Sequence, residues 1–124
     1  MNIVATASIP TREMNKTEAL YAQHLSLLLK TGEILWFEYE PIKIRLADNT
    51  FYAPDFVVVS KDGVLEAHEV KGFRTFRSKS GIRYGGTYAR DDAKVKIKVA
   101  AERFPVRFRL VYLDPRMGWM SQEF

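Results

Sequence analysis

Residues 52–71 decide the fold, and they read YAPDFVVVSKDGVLEAHEVK. Two runs rich in β-branched and apolar residues flank Lys61-Asp62-Gly63, which is typical of a three-residue hairpin loop with glycine in the left-handed position. With this loop, paired positions on the two strands sum to 124. Asp55 is therefore predicted to lie directly opposite Glu69, with the two Cβ atoms about 4.5 to 5.5 Å apart.

Charged residues end one face of this hairpin. Side chains alternate along a strand, so Asp55, Glu69 and Lys71 share the face that carries Val57 and Ala67, whereas even-numbered residues of the second strand lie on the opposite face. Two adjacent carboxylates repel each other, and a bound divalent cation relieves that repulsion. Ligands that are all oxygen suit Mg²⁺ or Mn²⁺. A surface cluster in which Lys71 pairs with both carboxylates is the alternative interpretation.

The segments around the hairpin predict two helices and further strands. Asn15 is followed three residues later by Glu18, which matches a capping box and predicts a helix over 15–30 that ends before Gly32. The other predicted elements are strands over 34–39, 42–46 and 106–112 and a helix over 91–104. The resulting order, αββββαβ, predicts a fold of the α/β or α+β class.

The composition fits one domain. The chain has 124 residues, of which 47% are hydrophobic, so we expect a single domain over 15–124, preceded by an N-terminal arm over 1–14. No apolar stretch is long enough to span a bilayer, and no signal-peptide pattern is present. The absence of cysteine excludes disulfides, thiolate zinc sites and cysteine nucleophiles. These features predict a soluble cytoplasmic protein with no membrane association.

Basic residues concentrate between residues 71 and 98. This segment has nine Lys and Arg residues against two Asp residues, so its net charge is +7 while that of the whole chain is +4. Four glycines and two serines without usable periodicity predict a long basic loop over 72–90, which also holds the aromatic residues Phe73, Phe76, Tyr84 and Tyr88. Interleaved cations and aromatic rings are typical of surfaces that bind phosphates and unstacked bases. The segment predicts a polyanion partner, with a solvated loop as the alternative.

The order of these motifs resembles that of a known enzyme family. Pro54-Asp55 and Glu69-Val70-Lys71, after a leading helix with an acidic residue and before a basic helix and a last strand, resemble the PD-(D/E)XK nuclease superfamily over 15–112. Four segments are similar, more narrowly, to the bacteriophage endonuclease I type of Holliday junction resolvase and to small phage-encoded relatives; they are FEYE at 37–40, YAPDF at 52–56, EVKG at 69–72 and DDAK at 91–94.

The resemblance implies a restriction-endonuclease-like core, with a mixed central sheet flanked by helices, and Mg²⁺-dependent (or Mn²⁺-dependent) hydrolysis of phosphodiester bonds. Asp55, Glu69 and Lys71 would be the catalytic residues. The metal ligands would be Glu18, Asp55, Glu69 and the carbonyl group of Val70. Lys71 would orient or help deprotonate the attacking water and stabilise the pentacovalent transition state. Helix capping is the alternative explanation of Glu18. The predicted nucleic-acid-binding residues are Arg74, Arg77, Lys79, Arg83, Tyr84, Arg90, Lys94 and Lys98.

The resulting hypothesis is a Mg²⁺-dependent DNA endonuclease that acts on branched or partly single-stranded DNA in the cytoplasm, which is the host cytoplasm if the protein is phage-encoded. A homodimer is expected, because cutting two strands generally needs two active centres and this chain supplies one. Two alternatives stay open. The first alternative is a non-catalytic nucleic-acid-binding module that uses the basic aromatic loop. The second is a nuclease subunit that a partner protein targets.

Overall fold

The computed structural model describes residues 5–10, 12–77, 83–88 and 91–124. The helices are α1 (Lys16–Thr31) and α2 (Asp91–Arg103). The strands are β1 (Ala5–Ala7), β2 (Ile34–Tyr39), β3 (Ile42–Ala47), β4 (Thr50–Tyr52), β5 (Phe56–Ser60), β6 (Leu65–Arg77), β7 (Arg83–Tyr88), β8 (Arg107–Asp114) and β9 (Gly118–Glu123). Both helices and all predicted strands are present, which confirms the coarse α/β class.

The strands form two sheets. The larger sheet has the order β2-β5-β6-β8-β9, with β7 also paired to β6. It is mixed, because β6 and β8 run parallel while its other neighbouring strands are antiparallel. The smaller sheet is antiparallel, with the order β1-β3-β4. Strands β1, β4, β7 and β9 were not predicted as separate strands, so the observed element order is longer than αββββαβ.

The β5–β6 hairpin has the predicted register. Phe56 pairs with His68 and Val59 pairs with Leu65, so paired positions sum to 124 as expected. Gly63 closes the loop with a φ of 83°, in the left-handed region that glycine adopts without strain. Asp55 lies one residue before β5 begins, and its Oδ2 accepts a hydrogen bond from the backbone N–H of Val70 at 2.8 Å. The end of this hairpin therefore holds Asp55 against the strand that carries Glu69.

The predicted basic loop over 72–90 is wrong for most of its length. Strand β6 continues to Arg77 and pairs with β7 in an antiparallel ladder that runs from Gly72 opposite Tyr88 to Arg77 opposite Arg83. Backbone hydrogen bonds can form such a ladder without an apolar face, which is why the lack of periodicity was misleading. The segments 78–82 and 89–90 lie outside the described residues.

The two faces of the larger sheet pack against different elements. Helix α1 contributes Tyr21 and Leu25 to a core that includes Phe56 and Val58. On the other face, Ile97 of α2 packs in a second core with residues of the smaller sheet and of β6 and β8. Consecutive residues of β6 therefore lie in different environments. No helix in the described part of the chain is long and apolar enough to cross a membrane.

The predicted capping box begins helix α1. The Asn15 side chain accepts a hydrogen bond from the backbone N–H of Glu18 at 2.8 Å, and the Glu18 carboxylate accepts one from the backbone N–H of Asn15 at 2.9 Å. Gly32, with a φ of 80°, ends the helix. The cap thus fixes where the Glu18 carboxylate lies.

Replacing Asn15 with alanine is expected to destabilise the protein by about 1 kcal/mol, because the N–H of Glu18 loses its acceptor. The measurement is urea denaturation followed by circular dichroism. Gln23→Ala, on the exposed face of the same helix, is the control, and we expect it to change stability by less than about 0.5 kcal/mol. Equal stability of Asn15→Ala and the wild type would show that the cap contributes nothing.

Candidate active site

Asp55 and Glu69 form a buried pair of carboxylates at the point where β5 begins and its pairing with β6 ends. Asp55 is 5% exposed and Glu69 is 8% exposed. The Tyr52 hydroxyl donates a hydrogen bond to Glu69 Oε2 at 2.9 Å. Lys71 Nζ lies 3.8 Å from Glu69 Oε1, and the Lys71 side chain is 23% exposed. The predicted catalytic residues Asp55, Glu69 and Lys71 therefore lie together, and the Lys71 amino group lies between the buried carboxylates and solvent.

The electrostatics of this pair favour a cation. Burial, followed by repulsion from Glu69, raises the pKa of Asp55 to about 9. Burial also raises the pKa of Glu69, although Lys71 and the Tyr52 hydroxyl oppose that shift. Both shifts express the cost of holding two ionised carboxylates side by side away from water. A divalent cation between them would lower this cost.

Glu18 brings a third carboxylate to the site from the first turn of α1. It is 2% exposed, and the Arg12 guanidinium donates to both of its carboxylate oxygens at 2.7 Å. The Tyr39 hydroxyl donates to Glu18 Oε1 at 3.2 Å. Burial alone would raise the pKa of Glu18, but hydrogen bonds from Arg12 and from the Asn15 backbone lower it below its usual value. The predicted metal ligand Glu18 is thus an ionised carboxylate paired with arginine.

Arg12 connects the acidic residues of the site. Its Nη2 lies 3.4 Å from Asp55 Oδ1, and its Nε lies 3.8 Å from Glu40 Oε2. Its guanidinium carbon also lies 5.7 Å from the centre of the Tyr39 ring. Arg12 belongs to the N-terminal arm, which has no periodic pattern, so nothing in the sequence pointed to this contact.

Glu40 is the fourth buried acidic residue at the site, and its backbone is unusual. Its φ of 45° lies in the left-handed region, which costs a residue other than glycine on the order of 1 kcal/mol. The backbone N–H of Glu40 donates to the carbonyl oxygen of Asp55 at 2.8 Å, which holds this conformation. The sequence placed Glu40 in a motif similar to that of the endonuclease but gave it no role.

The donor set fits a hard divalent cation. In the described part of the chain, no three or more His, Cys, Asp or Glu side chains are arranged to hold a metal ion. Arg12 engages Glu18, which leaves Asp55 and Glu69 as neighbouring carboxylates, with Val70 between Glu69 and Lys71 in the chain. Mg²⁺ is usually bound by one or two carboxylates and keeps several waters, so this pair is sufficient. The predicted role of Val70 as a carbonyl ligand stays a prediction.

The predicted nucleic-acid-binding residues fall on three elements. Arg74 and Arg77 lie on β6, and Arg83 and Tyr84 lie on β7, with Arg77 opposite Arg83 in the ladder. Lys94 and Lys98 lie on α2, where Lys94 is half-buried and Lys98 is exposed. The other two predicted residues, Lys79 and Arg90, lie outside the described residues. The strand that carries Glu69 and Lys71 thus runs directly into the basic hairpin formed by β6 and β7.

A second polar cluster lies on the opposite face of β6. A hydrogen bond of 2.6 Å joins Tyr21 Oη and His68 Nδ1, and His68 Nε2 lies 2.8 Å from Glu66 Oε1. Glu66 also pairs with Arg107 at 3.0 Å and with Arg109 at 3.2 Å. His68 therefore lies on the face opposite Glu69, as the alternation predicted. This cluster is separate from the Asp55–Glu69 pair.

Comparison with known proteins adds no family to this geometry. No family model, no curated protein and no solved structure matches the chain.

Proposed function

We propose that this protein is a Mg²⁺-dependent endonuclease that hydrolyses phosphodiester bonds of DNA. One observation supports the proposal above the others. A buried carboxylate pair, Asp55 and Glu69, lies beside the amino group of Lys71. Glu69 and Lys71 lie midway along β6, and the strand continues from there to Arg74 and Arg77. Carboxylates can hold the cation of metal-assisted phosphodiester hydrolysis, and a neighbouring lysine can stabilise the charge that develops in the transition state.

The residues of the chain divide this work. Asp55 and Glu69 would hold the cation, which supplies a water of lowered pKa and neutralises charge on the transferring phosphate. The Val70 N–H orients Asp55, and the Tyr52 hydroxyl orients Glu69. Lys71 reaches solvent and donates hydrogen bonds to the attacking water or to a phosphate oxygen, where its positive charge stabilises the transition state.

The substrate is proposed to be branched or partly single-stranded DNA. The net charge of +7 between residues 71 and 98 favours a polyanion, and β6 joins the catalytic residues directly to the basic hairpin. The preference for branched DNA comes from the resemblance to resolvases. A homodimer, with one active centre for each strand, belongs to the same proposal.

The test is cleavage of labelled four-way junction, flap, single-stranded and linear duplex DNA, with Mg²⁺ or with EDTA. The wild type is expected to cut with Mg²⁺ and not with EDTA. Lys71→Ala is expected to slow cleavage at least about 100-fold, because one positioned donor to the charge of the transition state contributes about that much or more. The junction is expected to be cut faster than the linear duplex.

Lys61→Ala is the matched control, because Lys61 is an exposed lysine in the loop at the far end of the same hairpin. It is expected to cut at the wild-type rate. Binding without cleavage by the wild type and both variants would contradict the proposal and favour a non-catalytic nucleic-acid-binding module. Cleavage that appears only in a reconstituted mixture would favour a subunit that a partner protein targets.

A further inference from the structure

In the described part of the chain, the carboxylates of the candidate site outnumber the cations beside them. Four buried acidic residues lie there, and they are Glu18, Glu40, Asp55 and Glu69. Their neighbouring cations are Arg12, which contacts Glu18, Glu40 and Asp55, and Lys71, which contacts Glu69. Arg12 is thus the cation on which most of the acidic residues converge.

Arg12 occupies the positions from which a metal ion would be bound. Both carboxylate oxygens of Glu18 accept hydrogen bonds from Arg12. Asp55 has one oxygen on the Val70 N–H, while its other oxygen, Oδ1, lies 3.4 Å from Arg12 Nη2. A cation that approaches Asp55 Oδ1 therefore meets a positive charge, and it reaches Glu18 only after Arg12 has left.

Arg12 is also the member of the cluster that can leave most easily. Its side chain is 48% exposed, whereas that of Glu18 is 2% exposed. The residue precedes helix α1 in a segment without regular secondary structure. Moving the guanidinium into water leaves the buried Glu18 carboxylate without its cation, which is costly unless another cation takes that place. Glu18 Oε1 stays hydrogen-bonded to the Asn15 N–H and the Tyr39 hydroxyl, so Oε2 is the oxygen that the departure of Arg12 releases.

We infer that Arg12 and a divalent cation are alternative occupants of this carboxylate cluster, an inference that rests on the proposed function. With Arg12 in place, a cation has Asp55 and Glu69 and is repelled by the guanidinium. With Arg12 displaced, Glu18 Oε2 is released and becomes a third carboxylate ligand, which completes a set of three that the described residues do not present while Arg12 is bound. Arg12 therefore sets both the affinity for the metal and the number of carboxylates that the metal receives.

The test is calorimetric titration of the full chain with Mn²⁺ in the absence of DNA. Arg12→Gln is expected to bind Mn²⁺ at least about tenfold more tightly than the wild type, because a neighbouring positive charge has been removed. Arg12→Lys keeps the charge but loses the bidentate contact, so it is expected to lie between the two. Arg116→Gln removes an exposed arginine from the β8–β9 turn and is expected to bind like the wild type.

A second variant tests the role assigned to Glu18. Glu18→Gln keeps a capping-box side chain, so the helix start is preserved. In the wild-type background it is expected to weaken Mn²⁺ binding, because the Arg12 charge loses its main partner, but by a smaller factor than in the Arg12→Gln background, where Glu18 is itself a ligand. In the Arg12→Gln background it is expected to remove most of the tenfold gain.

The outcomes separate this inference from the proposed function. If the wild type binds Mn²⁺ and Asp55→Asn does not, but Arg12→Gln and Arg12→Lys bind no more tightly than the wild type, the inference is wrong and the metal site stands. If no variant binds Mn²⁺, both are wrong. Circular dichroism checks that each variant is folded, and Arg12→Lys gives the answer if Arg12→Gln is not.

Discussion

Replacing Asp55 with asparagine is expected to make the metal-free protein more stable at pH 8 while it abolishes metal-dependent DNA cleavage. The pKa of Asp55 is raised from 3.8 to about 9 by burial and by Glu69. At pH values between 3.8 and about 9, the folded state binds more protons than the unfolded state. The contribution of Asp55 to the free energy of unfolding is therefore fully present below about pH 4 and is lost as the pH rises toward 9. Asparagine resembles the protonated carboxyl group and avoids this loss.

The expected gain is at least about 2 kcal/mol in the free energy of unfolding at pH 8 in EDTA. Each pKa unit is worth about 1.4 kcal/mol, so the shift alone would give more, but the asparagine NH₂ group loses part of that gain where it faces the Arg12 guanidinium. At pH 5 the wild type and the variant are expected to differ much less, because Asp55 is then protonated in the folded protein. The measurement is urea denaturation at both pH values. Asp48→Asn, at an exposed carboxylate, is the control and is expected to show no such pH-dependent difference.

Mg²⁺ is expected to reverse the order of stability. A cation held by Asp55 and Glu69 stabilises the wild type through binding, and the variant has lost one of the two carboxylates. Cleavage by Asp55→Asn is expected to fall below detection, a loss of at least about 1,000-fold. A variant that cuts DNA like the wild type, or that is less stable than the wild type at pH 8 in EDTA, would contradict this account of the pair.

The sequence was most informative where interactions are local. The Lys61-Asp62-Gly63 loop and the strand alternation predicted the hairpin register, and the register places Asp55 beside Glu69. The helix start at Asn15 was predicted for the same reason, because a capping box involves residues three apart. These features depend on backbone geometry and on side-chain alternation, which a short stretch of sequence determines.

The remaining features depend on contacts between distant residues. Arg12 contacts Asp55, which is 43 residues away in the sequence, and the arm that carries Arg12 has no pattern that predicts its position. Strand β9 lies beyond residue 112, where the predicted elements end. It is a strand because it pairs antiparallel with β8 and forms the edge of the larger sheet. Such pairing is fixed by the assembled sheet rather than by local propensity.

Neutralising Glu66, on the other face of β6, is expected to lower stability, whereas neutralising Asp55 is expected to raise it. Glu66→Gln is expected to destabilise the protein by about 2 kcal/mol at pH 7 and to leave DNA cleavage unchanged. The Glu66 carboxylate is buried and pairs with His68, Arg107 and Arg109. Burial alone would raise the pKa of Glu66, but the His68 hydrogen bond and the two arginines lower it, so the carboxylate stays ionised. The pKa of Glu66 in the folded protein is therefore lower than in the unfolded chain. The Glu66 carboxylate stabilises the fold above about pH 4.5, and this stabilisation is lost as the pH falls.

The magnitude follows from what the amide can and cannot replace. A glutamine keeps the shape of the side chain and one acceptor oxygen, but its NH₂ group faces an arginine donor in place of the second oxygen. Hydrogen bonds to charged groups are worth about 1.5 to 3 kcal/mol each. A cavity of about 150 Å³ borders Glu66 and Arg109, so water can reach the arginine and limit the loss. We therefore expect a smaller loss than the 3 to 5 kcal/mol typical of a fully buried broken ion pair.

Urea denaturation at pH 7 measures the loss, and Glu102→Gln, on the exposed surface of α2, is the control that should leave stability within about 0.5 kcal/mol of the wild type. Cleavage is measured well below the unfolding transition. Glu66 and Glu69 are only three residues apart on one strand, yet their side chains belong to clusters on opposite faces of the sheet. A large loss of cleavage by folded Glu66→Gln would show that the two clusters are coupled through β6. Loss of stability without loss of cleavage would instead assign Glu66 to the fold and leave Glu69 as the acidic residue of this strand that acts on the substrate.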